Sequence, residues 1–199
     1  YHWGGAIFAE SGDISISHCL FTDNVCGQEA PPYGDGGAVC FRHSRPDISY
    51  CEFTGNTSTG IGGALSLEYT DAQISKNKFY ENFSGLGGAL GYLRSAPGRI
   101  MEGNLFANNS CLFFGGAIAF IKANPLVLHN TFTENNSYSY GGAVYCNDSA
   151  APVIINTIIQ GNHAGEGAQI YIWDILSAPE LYHCNIQGGK EAFGGTGGI

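Results

Sequence analysis

The sequence predicts an all-β chain wound as a single-stranded right-handed parallel β-helix. It should hold about seven coils of 25–28 residues with three short strands per coil. Three observations predict this. The first is a tetrad that recurs as Gly4-Gly5-Ala6-Ile7, Gly36-Gly37-Ala38-Val39, Gly62-Gly63-Ala64-Leu65, Gly87-Gly88-Ala89-Leu90, Gly115-Gly116-Ala117-Ile118 and Gly141-Gly142-Ala143-Val144. A degraded seventh copy is read at Glu166-Gly167-Ala168-Gln169, and the steps between copies are 32, 26, 25, 28, 26 and 25 residues. The second is an aromatic followed three residues later by Asn, in phase with the tetrad: Phe21, Phe53, Phe79, Phe106 and Phe132 lead to Asn24, Asn56, Asn82, Asn109 and Asn135. Ile158 and Ile186 continue the apolar position. The third is the lack of any helical periodicity of useful length.

Within a coil, the first strand follows the double glycine, as in Ala38-Val39-Cys40-Phe41. Apolar residues two apart give the strand period. The second strand precedes a column of small residues, Cys19, Cys51, Asn77, Asn104, Asn130, Asn156 and Cys184. Pro46, Pro125, Pro152 and Pro179 stand at or just before its start, where no ladder bond is yet required. The third strand carries the Phe. Stacking coil on coil places equivalent residues together, so the Phe column becomes an interior aromatic stack. The Asn column passes amide hydrogen bonds between coils. The distance from tetrad Ala to the small-residue column is 13 residues in five repeats, 15 in the fourth and 16 in the seventh, which confines insertions to turns. Residues 25–35 replace a short turn with a segment expected to protrude. Residues 94–99 and 173–179 are lengthened by about two and three residues on the same count. A β-propeller blade is too long for this period, and the Leu pattern of a leucine-rich repeat is missing.

Composition limits the function classes. The chain of 199 residues has a net charge of −9 and a pI near 4.9. No basic stripe offsets that charge, so nucleic acid is not an expected partner. Apolar runs are too short to span a bilayer. The chain opens inside a repeat at Tyr1-His2-Trp3, which suggests one β-helix domain, 1–199, cut from a longer protein. There are 30 Gly, but they recur in register and hydrophobic residues make up 44%, which argues against disorder. The seven Cys show no zinc or redox spacing. They read as small buried side chains, with a Cys19–Cys51 disulfide between adjacent coils left open.

The pairing of Gly-Gly-Ala-[Ile/Leu/Val] with Phe-x-x-Asn, over residues 4–162, resembles the repeats of chlamydial polymorphic membrane proteins. The last part, from Asn156-Thr157-Ile158-Ile159 to Gly195-Thr196-Gly197, is similar to secreted bacterial β-helix proteins of the choice-of-anchor type. The first resemblance implies a surface autotransporter whose β-helical passenger acts in adhesion. Both imply an exported protein at a bacterial cell surface, and neither carries a shared catalytic motif.

β-Helices can host polysaccharide chemistry, which needs paired carboxylates or a carboxylate beside Arg or Lys. The positions after the first strand offer a polar stripe: Arg42, His43, Glu68, Tyr69, Arg94, Lys122, Asp148 and Asp174. Tyr69 and Tyr92 offer rings for sugar stacking. The stripe mixes signs without a concentrated centre, and an ordinary solvated turn face has the same composition. His18, His129 and His183 share one repeat position on separated coils, next to Tyr50, Gly103 and Ile155, so no metal site is expected. No cofactor is implied. The leading expectation is therefore a non-catalytic adhesin passenger or stalk, whose partner is a glycan or a neighbouring or host cell surface. Coil-end stacking on the rest of the parent chain or on another copy is a further expectation. The alternative is a carbohydrate-active enzyme or carbohydrate-binding module that uses the stripe.

Overall fold

In the computed structural model of the chain, residues 2–27, 33–95 and 99–197 are described. Every strand pairing is parallel and joins equivalent segments of successive coils, so the chain is a parallel β-solenoid. The strands that follow the glycine doublets form an eight-stranded sheet, and the next two strand sets form sheets of seven. The one helical element among the described residues is a single 3-10 turn, Gly189–Ala192. At ~4.8 Å per coil, seven coils rise about 34 Å.

Three strands per coil were expected, and the structure adds a fourth. The segments leading into the doublets, Val25–Cys26, Thr57–Ser58, Phe83–Leu86, Ser110–Phe114 and Asn136–Ser137, form a five-stranded sheet. They had read as turns because two to five residues are too few to display a period. Part of the expected 25–35 loop is thereby strand: Val25–Cys26 pairs with Thr57–Ser58, and Gly34–Asp35 pairs with His2–Trp3. Residues 28–32 of that loop, and 96–98 of the lengthened turn at 94–99, lie outside the described residues.

The interior is the expected set of ladders. Phe21, Phe53, Phe79, Phe106 and Phe132 stack face to face, with neighbouring centroids 4.8, 4.9, 4.7 and 4.9 Å apart. Phe53 to Phe132 are fully buried, so truncating one to Ala should cost about 3–5 kcal/mol. Beside them runs an amide ladder of Asn24, Asn56, Asn82, Asn109, Asn135 and Asn162. Asn109 shows the unit. Its Oδ1 accepts from the backbone N–H and Nδ2 of Asn82, at 3.1 and 2.9 Å. Its Nδ2 donates to the carbonyl of Phe79 and to Oδ1 of Asn135, both at 2.9 Å. All four hydrogen-bonding positions of a buried amide are thus satisfied.

The small-residue column is a second ladder, with a correction in the sixth coil. The backbone N–H groups of Cys51, Asn77 and Asn104 donate to the side-chain oxygens of Asn77, Asn104 and Asn130, at 2.8, 2.9 and 2.9 Å. Cys19 donates to the Cys51 sulfur at 3.4 Å. The next rung is Thr157, whose Oγ1 accepts from the N–H of Asn130. Asn156 is therefore not a ladder residue. It is exposed, in the left-handed region at φ 50°. Likewise Ile159, not Ile158, lies under Phe132. The shift comes from one extra corner residue: Asp148 and Ser149 both have positive φ, where the four preceding coils have one such residue each, His43, Tyr69, Arg94 and Lys122. The degraded tetrad is also shifted by one. Gly167, at φ 64°, occupies the first-glycine position, so this copy is Gly167-Ala168-Gln169-Ile170.

The two glycines of a doublet are needed for different reasons. Gly115 has φ 74°, a conformation that L residues rarely adopt. Gly116 has an ordinary φ, but a Cβ there would meet the carbonyl oxygen of Gly142 at 2.1 Å. The residue before the doublet then folds over the outer face of the eight-stranded sheet. Phe114 and Tyr140 cover Tyr145 and Tyr171 in a second apolar cluster outside the coil interior. All seven cysteines are free thiols.

Candidate functional site

The second to sixth coils leave the eight-stranded sheet through a corner whose residue has positive φ. His43, Tyr69, Arg94, Lys122 and Asp148 occupy that corner in successive coils, at φ 47–56°. Arg42 and Glu68 stand one residue earlier and are register partners. Asp174 extends the line: its Oδ2 accepts from the Asp148 N–H at 2.8 Å. The structure therefore gathers all eight stripe residues on one edge of the solenoid.

Their side chains fall into two groups. In the upper group, Glu68 lies between two guanidinium groups. Its Oε2 is 2.9 Å from Arg42 Nε, and its Oε1 is 3.0 Å from Arg94 Nη1. Arg42 also reaches Glu10 at 3.9 Å and lies over the Trp3 ring at 4.9 Å. These groups are partly exposed, so each ion pair contributes about 0–1 kcal/mol. Tyr69 is covered on both faces. His43 stacks on it from the preceding coil, with centroids 4.8 Å apart and planes within 6°. Arg94 lies over it from the following coil at 5.4 Å. Tyr69 is nonetheless 45% exposed, so its ring is shared between these two partners and solvent. Tyr92 is fully buried and accepts from the Ala72 N–H at 3.2 Å, and burial pushes its hydroxyl up to about 12. Tyr92 therefore does not serve as the expected platform.

Lys122 has no ion pair among the described residues and separates this group from the acidic end. Burial opposes ionisation of Asp174, but four hydrogen bonds outweigh it and hold the carboxyl below its ordinary range. The donors are the Ser177 hydroxyl and the backbone N–H groups of Leu176, Asp148 and Ser177. The edge carries only shallow concavities. One of about 540 Å³ lies at Asp148, Trp173 and Asp174, one of about 410 Å³ at Tyr69, Arg94, Ser95 and Lys122, and one of about 360 Å³ at His43, Arg45 and Asp71.

His18, His129 and His183 do share one corner column, as expected. Its other members are Tyr50, Lys76, Gly103 and Asn156, all with positive φ. Asn156 takes the place expected for Ile155. His18 stacks on Tyr50 at 5.0 Å, and Lys76 donates to the Tyr50 hydroxyl at 2.8 Å. No group of three potential metal ligands occurs among the described residues.

A larger concavity lies elsewhere and was missed by sequence reasoning. It is a trough of about 640 Å³ along the five-stranded sheet. Thr57, Thr59, Gly60 and Gly85 line it together with Phe83, Leu112, Phe113 and Tyr33, and none of its lining residues is charged. A signal was present: Leu112-Phe113-Phe114 and Phe83 are large apolar residues in segments that otherwise read as turns.

Residues 2–111 match the family model described as right handed beta helix region. Residues 131–147, which run from one Phe-x-x-Asn to the next Gly-Gly-Ala-Val, match the Chlamydia polymorphic membrane protein repeat. The metabotropic glutamate receptor-like protein R of Dictyostelium discoideum is 27% identical over 88 residues, which is 43% of this chain and 5% of that protein. The chain thus spans a small part of that relative's length. No solved structure matches. The first model covers more than half of the sequence, and the chain belongs to the right-handed β-helix family.

Proposed function

We propose that this β-helix is a rigid segment of a surface-displayed protein, an adhesin passenger or stalk, that works by binding and not by catalysis. The observation that supports this most is how the polar edge uses its charges. A lyase or glycosidase needs a carboxylate or base free to move a proton at the substrate. Glu68 is instead clamped by Arg42 and Arg94, and Asp174 is consumed by backbone and Ser177 donors. The continuous Phe and Asn ladders suit a stiff spacer that holds exposed features at fixed intervals. The chlamydial membrane protein repeat supports placement at a cell surface. No helix among the described residues is long and apolar enough to cross a membrane. The net charge of −9 disfavours nucleic acid as partner.

Two parallel measurements test this reading. Beads coated with the chain should adhere to cells, and the chain should release no reducing ends or unsaturated products from a polysaccharide panel. Turnover of any polymer that disappears in Glu68→Gln or Arg94→Ala would overturn it in favour of a carbohydrate-active enzyme at the polar edge.

A further inference from the structure

At the polar edge Tyr69 is engaged by His43 and Arg94, whereas the five-stranded sheet carries exposed rings with no charged partner among the described residues. Phe83, Phe113 and Tyr33 are 37%, 54% and 54% exposed. Phe113 makes one ring contact among the described residues, a tilted one to Phe114 at 6.2 Å. The three rings precede the second, fourth and fifth glycine doublets. They therefore span about three coil spacings, roughly 14 Å along the solenoid axis. Gly60 and Gly85 line the trough between them, with backbone partly exposed at Gly60 and with Thr57 and Thr59 beside it.

We propose that this trough binds a neutral glycan chain laid along the solenoid axis. In this arrangement the C–H faces of its sugar rings rest on Phe83 and Phe113, and its hydroxyls turn toward Thr57, Tyr33 and water. Three features select that chemistry. First, a chain of net charge −9 leaves this surface without a charged lining residue among the described residues, which fits an uncharged ligand. The nearby carboxyl of Asp35 accepts from the Ile61 N–H at 2.9 Å instead. Second, the trough is open along one side, so its occupant keeps one side in water. An acyl chain, apolar all round, would leave half its surface wet there, whereas a sugar ring has an apolar face and a polar rim. Third, the volume of about 640 Å³, mainly apolar with a few hydroxyls, is that of a ligand site. The inference rests on the binding reading above and gives it a place and a ligand class.

The test is a glycan array of neutral and acidic polysaccharides, followed by calorimetry on the best neutral oligosaccharide. Thr57→Trp fills the trough from a half-buried strand position, and its thermal melt is compared with that of the parent. Phe83→Ala and Phe113→Ala remove its rings, and because these side chains are exposed the variants should melt with the parent. A neutral glycan should bind, with Kd about tenfold weaker in each alanine variant and binding lost in Thr57→Trp. Affinity should be unchanged between low and high salt, and also unchanged in Arg94→Ala and Lys122→Ala. Binding that survives Thr57→Trp would overturn the proposal. So would recognition of acidic glycans alone, displacement from the trough by a fatty acid with no glycan bound, or silence across the array. Cell adherence measured in parallel separates the two claims. Adherence unchanged in Thr57→Trp removes the trough and leaves the adhesin, whereas no adherence by the parent chain removes the adhesin reading itself.

Discussion

Replacing Asn109 with alanine removes one rung from the middle of the amide ladder. Four hydrogen bonds go with it, at 3.1, 2.9, 2.9 and 2.9 Å. At about 1 kcal/mol net each the loss is about 4 kcal/mol. The true figure should not be smaller, because the N–H of Asn82 is left buried without a partner, while Asn82 Nδ2, which keeps the Phe53 carbonyl, and the carbonyl of Phe79 each lose a bond. With a urea dependence of about 2 kcal/mol per molar, the unfolding midpoint should fall by about 2 M. Asn24 supplies the internal control. It lies in the first coil and donates one side-chain bond, to Asn56 at 2.8 Å, so Asn24→Ala should cost no more than about 1 kcal/mol. Asn109→Asp sharpens the test. A carboxylate keeps the acceptor role toward Asn82 but faces the Phe79 carbonyl and Asn135 Oδ1 with no proton to give. Burial and those oxygens raise its folded pKa above the unfolded value of about 3.9. The protonated form is therefore favoured in the fold. Its stabilisation relative to Asn109→Ala should be present below about pH 4 and lost as pH rises through the higher folded pKa. Urea melts followed by circular dichroism at several pH values measure all three variants. A midpoint shift below about 0.5 M for Asn109→Ala, equal to that of Asn24→Ala, would refute the claim that the ladder's satisfied amides hold the coils together.

The second glycine of a doublet admits no side chain, so Gly116→Ala should lose more than the 1–3 kcal/mol of ordinary overpacking. Gly189→Ala, with nothing within 4 Å, should cost only the left-handed strain, about 1–2 kcal/mol, and thermal melts compare the two. Glu68→Gln should destabilise by no more than about 1 kcal/mol, with the difference from the parent shrinking as salt rises. Asp174 has a folded pKa held below its ordinary value, so its contribution is present above about pH 4 and lost as pH falls through the lower folded value. Amide exchange at Leu176 and Ser177 should rise in that window in the parent and be pH-flat in Asp174→Asn, after correction for intrinsic rates. Brief alkylation of the native chain should modify the exposed Cys19 first. Cys40 and Cys111 should stay unmodified, because burial pushes their thiols up to about 12 and about 11. Peptide mass spectrometry reads the order.

The coil-forming columns were legible because a solenoid writes its tertiary contacts into the sequence as a period. Phe53 meets Phe79 because both stand at the same place in consecutive repeats. Where the period was damaged, the reading slipped. Asn156 looked like a ladder residue because it kept the 13-residue spacing and the amide of its neighbours. Ser149 had added a second left-handed residue upstream, and so the rung fell to Thr157. Spacing counts residues, but ladder register follows hydrogen bonds, and one extra corner residue separates the two.

The stripe was legible as a line of residues and illegible as chemistry. Sequence position put Arg42, Glu68 and Arg94 on adjacent coils, but how a long side chain leans from a left-handed corner decides its partner. That lean clamps Glu68 and sets Tyr69 between His43 and Arg94. The trough was harder still. Its walls come from segments of two to five residues, each too short to show strand alternation. They become a sheet only when five of them stack.

The sequence by itself determined the solenoid, its coil length, its Phe and Asn ladders and its acidic character. Each of these follows from what repeats or from what is summed. Only the tertiary structure decided the fourth sheet, the register of the sixth coil, the pairing of charges along the edge and the uncharged trough. Those depend on side-chain direction and on contacts between non-repeating residues, and neither is carried by a period.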